Sequence, residues 1–139
     1  IAVACPNKIR ILTIDSQKED QQFSAIGNRC CLLFDDDGDL FIGDRDGVRK
    51  VNLRNGQTRH RFIGHRGASR RICLDPVGPS LISAGEDQSI LVWDTRDSEL
   101  LWRHDFDKIV TGVTVNKAGT IAVGFGDGKA LLWEMARGR

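Results

Sequence analysis

Residues 81–85, Leu-Ile-Ser-Ala-Gly, form a short run of apolar and small side chains that suits a buried β-strand. Glu86-Asp87-Gln88 follows with turn chemistry, because Asp bonds its own backbone and tolerates unusual φ. Ser-Ile-Leu-Val-Trp at 89–93 is β-branched and aromatic, and it reads as the return strand of a hairpin. Residues 71–74 and 100–103 are strand-like as well, and the segments 75–79 (Asp-Pro-Val-Gly-Pro) and 95–98 (Thr-Arg-Asp-Ser) punctuate the joins. The pattern predicts four short antiparallel strands in about forty residues.

The same pattern recurs. Aligned on the turn acid, Asp46, Asp87 and Asp127 are spaced by 41 and 40 residues, and Trp93 and Trp133 each lie six positions after their acid. Asn7 extends the series backward by 39. Strands are expected at 30–34, 40–43 and 48–53, and again at 112–115, 121–124 and 129–133, with two more in residues 1–15. The chain therefore divides into a partial unit at 1–20 and repeats at about 21–57, 58–98 and 99–139.

A repeat of forty-odd residues that carries Gly64-His65 and later Trp93-Asp94 resembles the WD40-repeat (G-protein-beta-like) β-propeller family. The resemblance implies an all-β fold of four-stranded antiparallel blades. It also implies a buried hydrogen-bonded set in each blade, whose matching positions here are His65, Ser83, Asp87 and Trp93. The chemistry of such a set is sound in itself: a buried carboxylate needs donors, and imidazole N–H, hydroxyl and indole N–H are all donors. Only the third repeat keeps the full set. Opposite His65 the neighbouring repeats place Ser24 and Asp105, opposite Ser83 they place Ile42 and Val123, and opposite Trp93 they place Asn52 and Trp133.

Two strands and three repeats make about three and a half blades, whereas propellers close with four to eight. The expectation is an incomplete propeller, read first as a fragment of a longer one whose further blades complete the ring; the alternatives are two copies that close a ring together and a small, strained or oligomeric design. The absence of an initiator Met points the same way.

Composition narrows the functions. A net charge of +1 gives no global field toward nucleic acid or membrane. No run of eighteen apolar residues exists to span a bilayer as a helix. Cys5, Cys30, Cys31 and Cys73 have neither CxxC nor Cys/His metal spacing, and they read as free thiols of a reducing compartment. Cytoplasm is the expected location, with the nucleus as the alternative. No metal or cofactor is expected.

Local clusters are weighed in the same way. The acidic stretch Asp35-Asp-Asp-Gly-Asp39 places Leu33, which cannot ligate, at the first position of a calcium loop, so it reads as a hairpin turn. Gly124-Phe-Gly-Asp-Gly128 lies between strands, not before a helix, and is also a turn. A Ser83–His65–Asp87 combination superficially resembles a hydrolase triad, but Ser83 falls inside a predicted buried strand, so no catalytic residue is assigned. Arg59, Arg61, Arg66, Arg70 and Arg71 form one basic cluster with only Phe62 interleaved.

The resulting expectation is a non-enzymatic WD-repeat scaffold that binds other proteins or peptides through its loop face and rim. Arg45, Glu86 and Gly126, just before the turn acids, should line that face, with Arg66, Arg70 and Arg71 nearby. One alternative is an RNA-binding propeller that uses the Arg59 to Arg71 cluster. A second is a propeller domain attached to an enzyme whose catalytic part lies outside this chain.

Overall fold

In the computed structural model, residues 2–5, 7–12, 19–24 and 30–135 are described. They form fourteen strands in four antiparallel sheets. Sheet 1 holds β1 (Ala2–Cys5), β2 (Lys8–Leu12) and β3 (Glu19–Ser24). Sheet 2 holds β4 (Cys31–Phe34), β5 (Leu40–Asp44), β6 (Gly47–Val51) and β7 (Thr58–Phe62). Sheet 3 holds β8 (Ser69–Leu74), β9 (Ser80–Gly85), β10 (Ser89–Asp94) and β11 (Leu100–Asp105). Sheet 4 holds β12 (Val110–Val115), β13 (Thr120–Phe125) and β14 (Ala130–Glu134). Each sheet is a meander in which every strand pairs with its sequence neighbour, as the hairpin pattern requires.

The sheets stand side by side along the chain. β4 and β5 lie against β8, β8 and β9 lie against β12, and β1 lies against β4. Alternation along the strands feeds two interfaces at once. On β9 and β10, Leu81, Leu91 and Trp93 face sheet 2 and join Phe41, Val48 and Phe62. Their neighbours Ile82, Ala84, Ile90 and Val92 face sheet 4 and join Val110, Ile121 and Val123. This is why β9 and β10 read as continuous apolar runs: both faces are buried. A third core of Ile9, Leu40, Ile42 and Val51 joins sheets 1 and 2.

The fold is thus the incomplete set of all-β blades that the resemblance implies, with strands divided three, four, four and three. The sheets run one strand out of phase with the sequence repeats, because each repeat opens with the outer strand of the preceding sheet. β7 begins the third repeat but closes sheet 2, and β3 closes sheet 1. Bulges fix the equivalence. The third and fourth strands slip register at Val92/Trp93 in sheet 3 and at Lys50/Val51 in sheet 2, and β2 and β3 slip likewise at Ile11/Leu12. Sheet 1 therefore contains the second, third and fourth strands of a blade, whereas sheet 4 contains the first three.

Hairpin length shifts the alignment by one residue in the first half of the chain. Sheet 3 pairs Ala84 with Ile90, whereas the turn of sheet 2 is tighter and pairs Asp44 with Gly47. The structural counterpart of Trp93 in sheet 2 is consequently Val51, not Asn52, since Leu40 pairs with Val51 as Leu81 pairs with Trp93. Left-handed residues mark the hairpins at Asn7, Gly47, Gln88 and Gly128, and Cys5 pairs with Lys8 as Asp44 pairs with Gly47, so Asn7 aligns with Asp46. The acidic stretch after β4 forms the β4–β5 turn, with Gly38 at φ 83° and the Asp35 carboxylate accepting the Asp39 amide at 2.9 Å.

Candidate functional site

The loop between β7 and β8 carries Gly64-His65-Arg66 onto the β9–β10 hairpin. The Glu86 amide donates to the Ala68 carbonyl at 2.9 Å, and the Arg66 amide donates to Asp87 Oδ2 at 2.8 Å. Two glycines of this region, Gly64 and Gly85, are close-approach positions. A Cβ on Gly64 would stand 2.7 Å from the Trp93 ring, and one on Gly85 would stand 2.6 Å from Asp87 Oδ1.

Within this frame the four matched residues form a single chain of hydrogen bonds. The indole N–H of Trp93 donates to Ser83 Oγ at 2.9 Å. Ser83 Oγ lies 2.8 Å from His65 Nε2, and His65 Nδ1 lies 3.0 Å from Asp87 Oδ1. One assignment satisfies every group: Ser83, having accepted the indole proton, donates to Nε2, and Nδ1–H donates to the carboxylate. The imidazole is then neutral. Burial, the largest influence on it, pushes the His65 pKa below its usual 6.5, against the pull of Asp87. Burial alone would raise the Asp87 pKa. The Arg66 amide, the Ser89 hydroxyl and His65 outweigh it and hold the carboxyl at about 2.

Two further residues belong to the site and were not anticipated. Ser89 Oγ donates to Asp87 Oδ1 at 2.7 Å. Arg103 on β11 donates to the Gly64 carbonyl at 2.9 Å, reaches Asp87 Oδ2 at 3.3 Å and pairs with Asp105 at 2.7 Å. The sequence signal for Ser89 is a hydroxyl two positions after the turn acid. For Arg103 it is a single guanidinium at the end of an otherwise apolar Leu-Leu-Trp run.

The order Ser83–His65–Asp87 is the connectivity of a hydrolase triad, but the surroundings do not suit one. The Ser83 residue and the His65 side chain are both 0% exposed, and the Ser83 oxygen already takes the Trp93 N–H. No reacting carbonyl can be set against a hydroxyl so enclosed. What the arrangement does is tie an entering loop, a hairpin turn and two central strands to one another.

The expected surface residues fall at this same end of the sheets. Arg70 pairs with Glu86, its Nε 2.7 Å from Oε1, and Arg71 donates to the Arg70 carbonyl at 2.8 Å. Arg66 is exposed and meets the hairpin through its amide. Arg45 and Gly126 are exposed in the equivalent turns of sheets 2 and 4. The structure thus brings Arg66, Arg70, Arg71 and Glu86 together and sets Arg45 and Gly126 on neighbouring sheets. Arg59 reaches Asp39 at 3.4 Å, and Phe62 is buried against Trp93 with ring centroids 5.8 Å apart. His60 meets Ser98 Oγ at 3.0 Å, and His104 packs on Trp102 and Trp133.

The fourth sheet keeps Trp133 but not the network. Val123 stands where sheet 3 has Ser83, and Asp127 is held by Lys108 at 2.8 Å, each side chain 39% exposed. Cys30, Cys31 and Cys73 are free thiols, and the Cys5 side chain lies outside the described set. Burial pushes the Cys31 and Cys73 pKa values up to about 12, so neither is a ready nucleophile. Among the described residues no helix is long and apolar enough to cross a membrane.

Comparison with known proteins agrees with the geometry. Residues 56–94 match the family model "WD domain, G-beta repeat", which spans β7 to the end of β10. The chain is 28% identical to the rat apoptotic protease-activating factor 1 over 79% of its own length and 9% of that protein. It is 31% identical to the human pre-mRNA-processing factor 17 over 55% of its length and 14% of that protein. The crystal structure of the WD40 β-propeller domain of Doa1 superposes with a TM-score of 0.78 at 24% identity, covering 95% of this chain and 49% of the other. The chain therefore spans about half of that propeller and about a tenth of the relatives just named. Residues 56–94 thus carry a WD40 repeat, and the blades around them are similar in fold to those of a WD40 β-propeller.

Proposed function

We propose that the chain is a non-catalytic platform for protein–protein interaction and that partners engage the hairpin end of its sheets. The observation that carries this reading is the lock under that end. The Trp93–Ser83–His65–Asp87 chain, with Arg103 and Ser89, fixes the β7–β8 loop and the β9–β10 turn to the core. Arg66, the Arg70–Glu86 pair and the exposed Ile63 are thereby presented on a rigid base. A preformed surface binds without the entropy of ordering its own loops. The related proteins support a role in assemblies, since one is named as a protease-activating factor and another as a pre-mRNA-processing factor.

The RNA reading has less support. Arg59 and Arg70 are neutralised by Asp39 and Glu86, Arg71 is turned to a backbone carbonyl, and Phe62 is not available for stacking. The free thiols favour a reducing compartment such as the cytoplasm.

The test compares proteins co-purifying with the parent and with a variant carrying Arg45→Ala, Arg66→Ala and Glu86→Ala, using Asp36→Ala at the opposite end of sheet 2 as control. The hairpin-end variant is expected to lose specific partners that the control retains. An unchanged set for both contradicts the proposal. Salt-sensitive RNA binding that disappears on changing Arg66, Arg70 and Arg71 to Ala would favour the alternative.

A further inference from the structure

Away from the hairpin end, a cleft of about 780 Å³ opens between sheets 3 and 4. Trp102 on β11 and Trp133 on β14 form its aromatic wall, ring centroids 5.1 Å apart and edge to face, and Trp102 is 42% exposed. The lining contains three carboxylates, Asp75, Asp94 and Glu134, against one guanidinium, Arg96. Arg96 is committed to Asp94, its Nε 2.9 Å from Oδ1. Those hydrogen bonds hold the Asp94 pKa at about 2, so the carboxylate stays ionised.

The neighbouring interface shows what such a combination receives. Between sheets 2 and 3, Lys50 places its ammonium 5.4 Å from the centre of the Phe41 ring and 2.5 Å from Asp35. Lys50 pairs with Phe41 as Val92 pairs with Ile82, so the strand position that supplies a cation between sheets 2 and 3 is uncharged Val92 between sheets 3 and 4. Aromatic surface and net negative charge are both present in the second cleft, without a lysine at that position. A cation over an indole face, backed by carboxylates in a partly dry cleft, is held by both effects.

We infer that the cleft between sheets 3 and 4 receives a Lys or Arg side chain from a partner protein. The inference rests on the reading of the chain as an interaction platform, but it concerns a different surface.

The probe is the blocked peptide Ac-Gly-Arg-Ala-Arg-Gly-amide, titrated into the 139-residue chain, with tryptophan fluorescence as readout and the peptide with Glu in place of Arg as control. Trp93 is 1% exposed, so changes report Trp102 and Trp133. The basic peptide is expected to give a saturable change and the acidic one none. Trp102→Ala should weaken binding about tenfold, and Glu134→Gln, an exposed change that leaves the fold intact, about threefold. No saturable change, equal response to both peptides, or binding by Glu134→Gln equal to that of the parent overturns the inference. Arg66→Ala should bind the peptide as the parent does. Failure of the cleft is therefore read separately from failure of the hairpin end, which is scored by co-purifying partners.

Discussion

Sheets 3 and 4 have the same strand spacing, the same hairpin length and a tryptophan at the same register, yet they hold that tryptophan differently. Trp93 is 1% exposed, donates to Ser83 and lies against Gly64 and Phe62. Trp133 has Val123 in place of the serine and leans on Trp102, His104 and Phe106. The turn acids differ likewise: the Asp87 carboxylate is buried among four donors, whereas Asp127 meets Lys108 and its own turn at the surface. The period alone, then, is enough to build the blade backbone. The polar chain is an addition that ties the entering loop of one blade to its hairpin, whereas the other blade holds its tryptophan by ring contacts.

The largest separation between the two sheets should come from the acids. Asp87→Ala strands donors already buried around it and should cost about 3 kcal/mol in urea unfolding. Asp127→Ala and Asp46→Ala should each cost no more than about 0.5 kcal/mol. Equal midpoints for Asp87→Ala and Asp46→Ala would remove the distinction between a locked and an unlocked blade.

The same chain should make stability depend on pH with one sign throughout. The folded-state pKa values of His65 and Asp87 both lie below their ordinary values, so the folded state binds fewer protons than the unfolded chain when acid is added. The His65 contribution is complete above pH 6.5 and is lost as pH falls below it. The Asp87 contribution, about 2 kcal/mol by its shift, is complete above pH 4 and is lost toward pH 2. In a His65→Gln variant, the decline that begins near pH 6.5 should be smaller in melts taken across the range.

Gly64→Ala places a methyl against the Trp93 ring and should cost about 2 kcal/mol, whereas Gly126→Ala, exposed and with no contact closer than 3.8 Å, should be near neutral. A smaller effect than that of Gly64→Ala is expected from Trp93→Phe, which removes the indole donor and leaves most of the ring, at about 1 kcal/mol. Trp133→Phe should cost less still, because no hydrogen bond is lost.

The apolar central strands were legible because both of their faces are buried, as β9 and β10 show. The outer strand β11 was legible from its Leu-Leu-Trp run, but β3 and β7 were not. β3 is Glu-Asp-Gln-Gln-Phe-Ser and β7 is Thr-Arg-His-Arg-Phe, polar sequences that pair on one side only and carry little periodic signal. Spacing alone could not reveal that the hairpin of sheet 2 is one residue shorter, which is why Val51 and not Asn52 takes the place of Trp93. Within the site, the four matched residues could be named from their types and spacing, but the order of the bonds could not. Which group donates to which depends on the close approach allowed at Gly64 and Gly85. Ser89 and Arg103 went unread for a related reason: neither residue type is unusual in a strand, and only the fold sets them beside Asp87.

The most direct test of the account is hydrogen exchange at the three indole N–H groups, followed by NMR on the native protein. If the chain through Ser83, His65 and Asp87 locks sheet 3, the Trp93 indole proton should exchange only through global unfolding, while those of Trp102 and Trp133 exchange by local opening and far sooner. Exchange of Trp93 as fast as that of Trp133 would contradict the lock on which the rigid loop face depends.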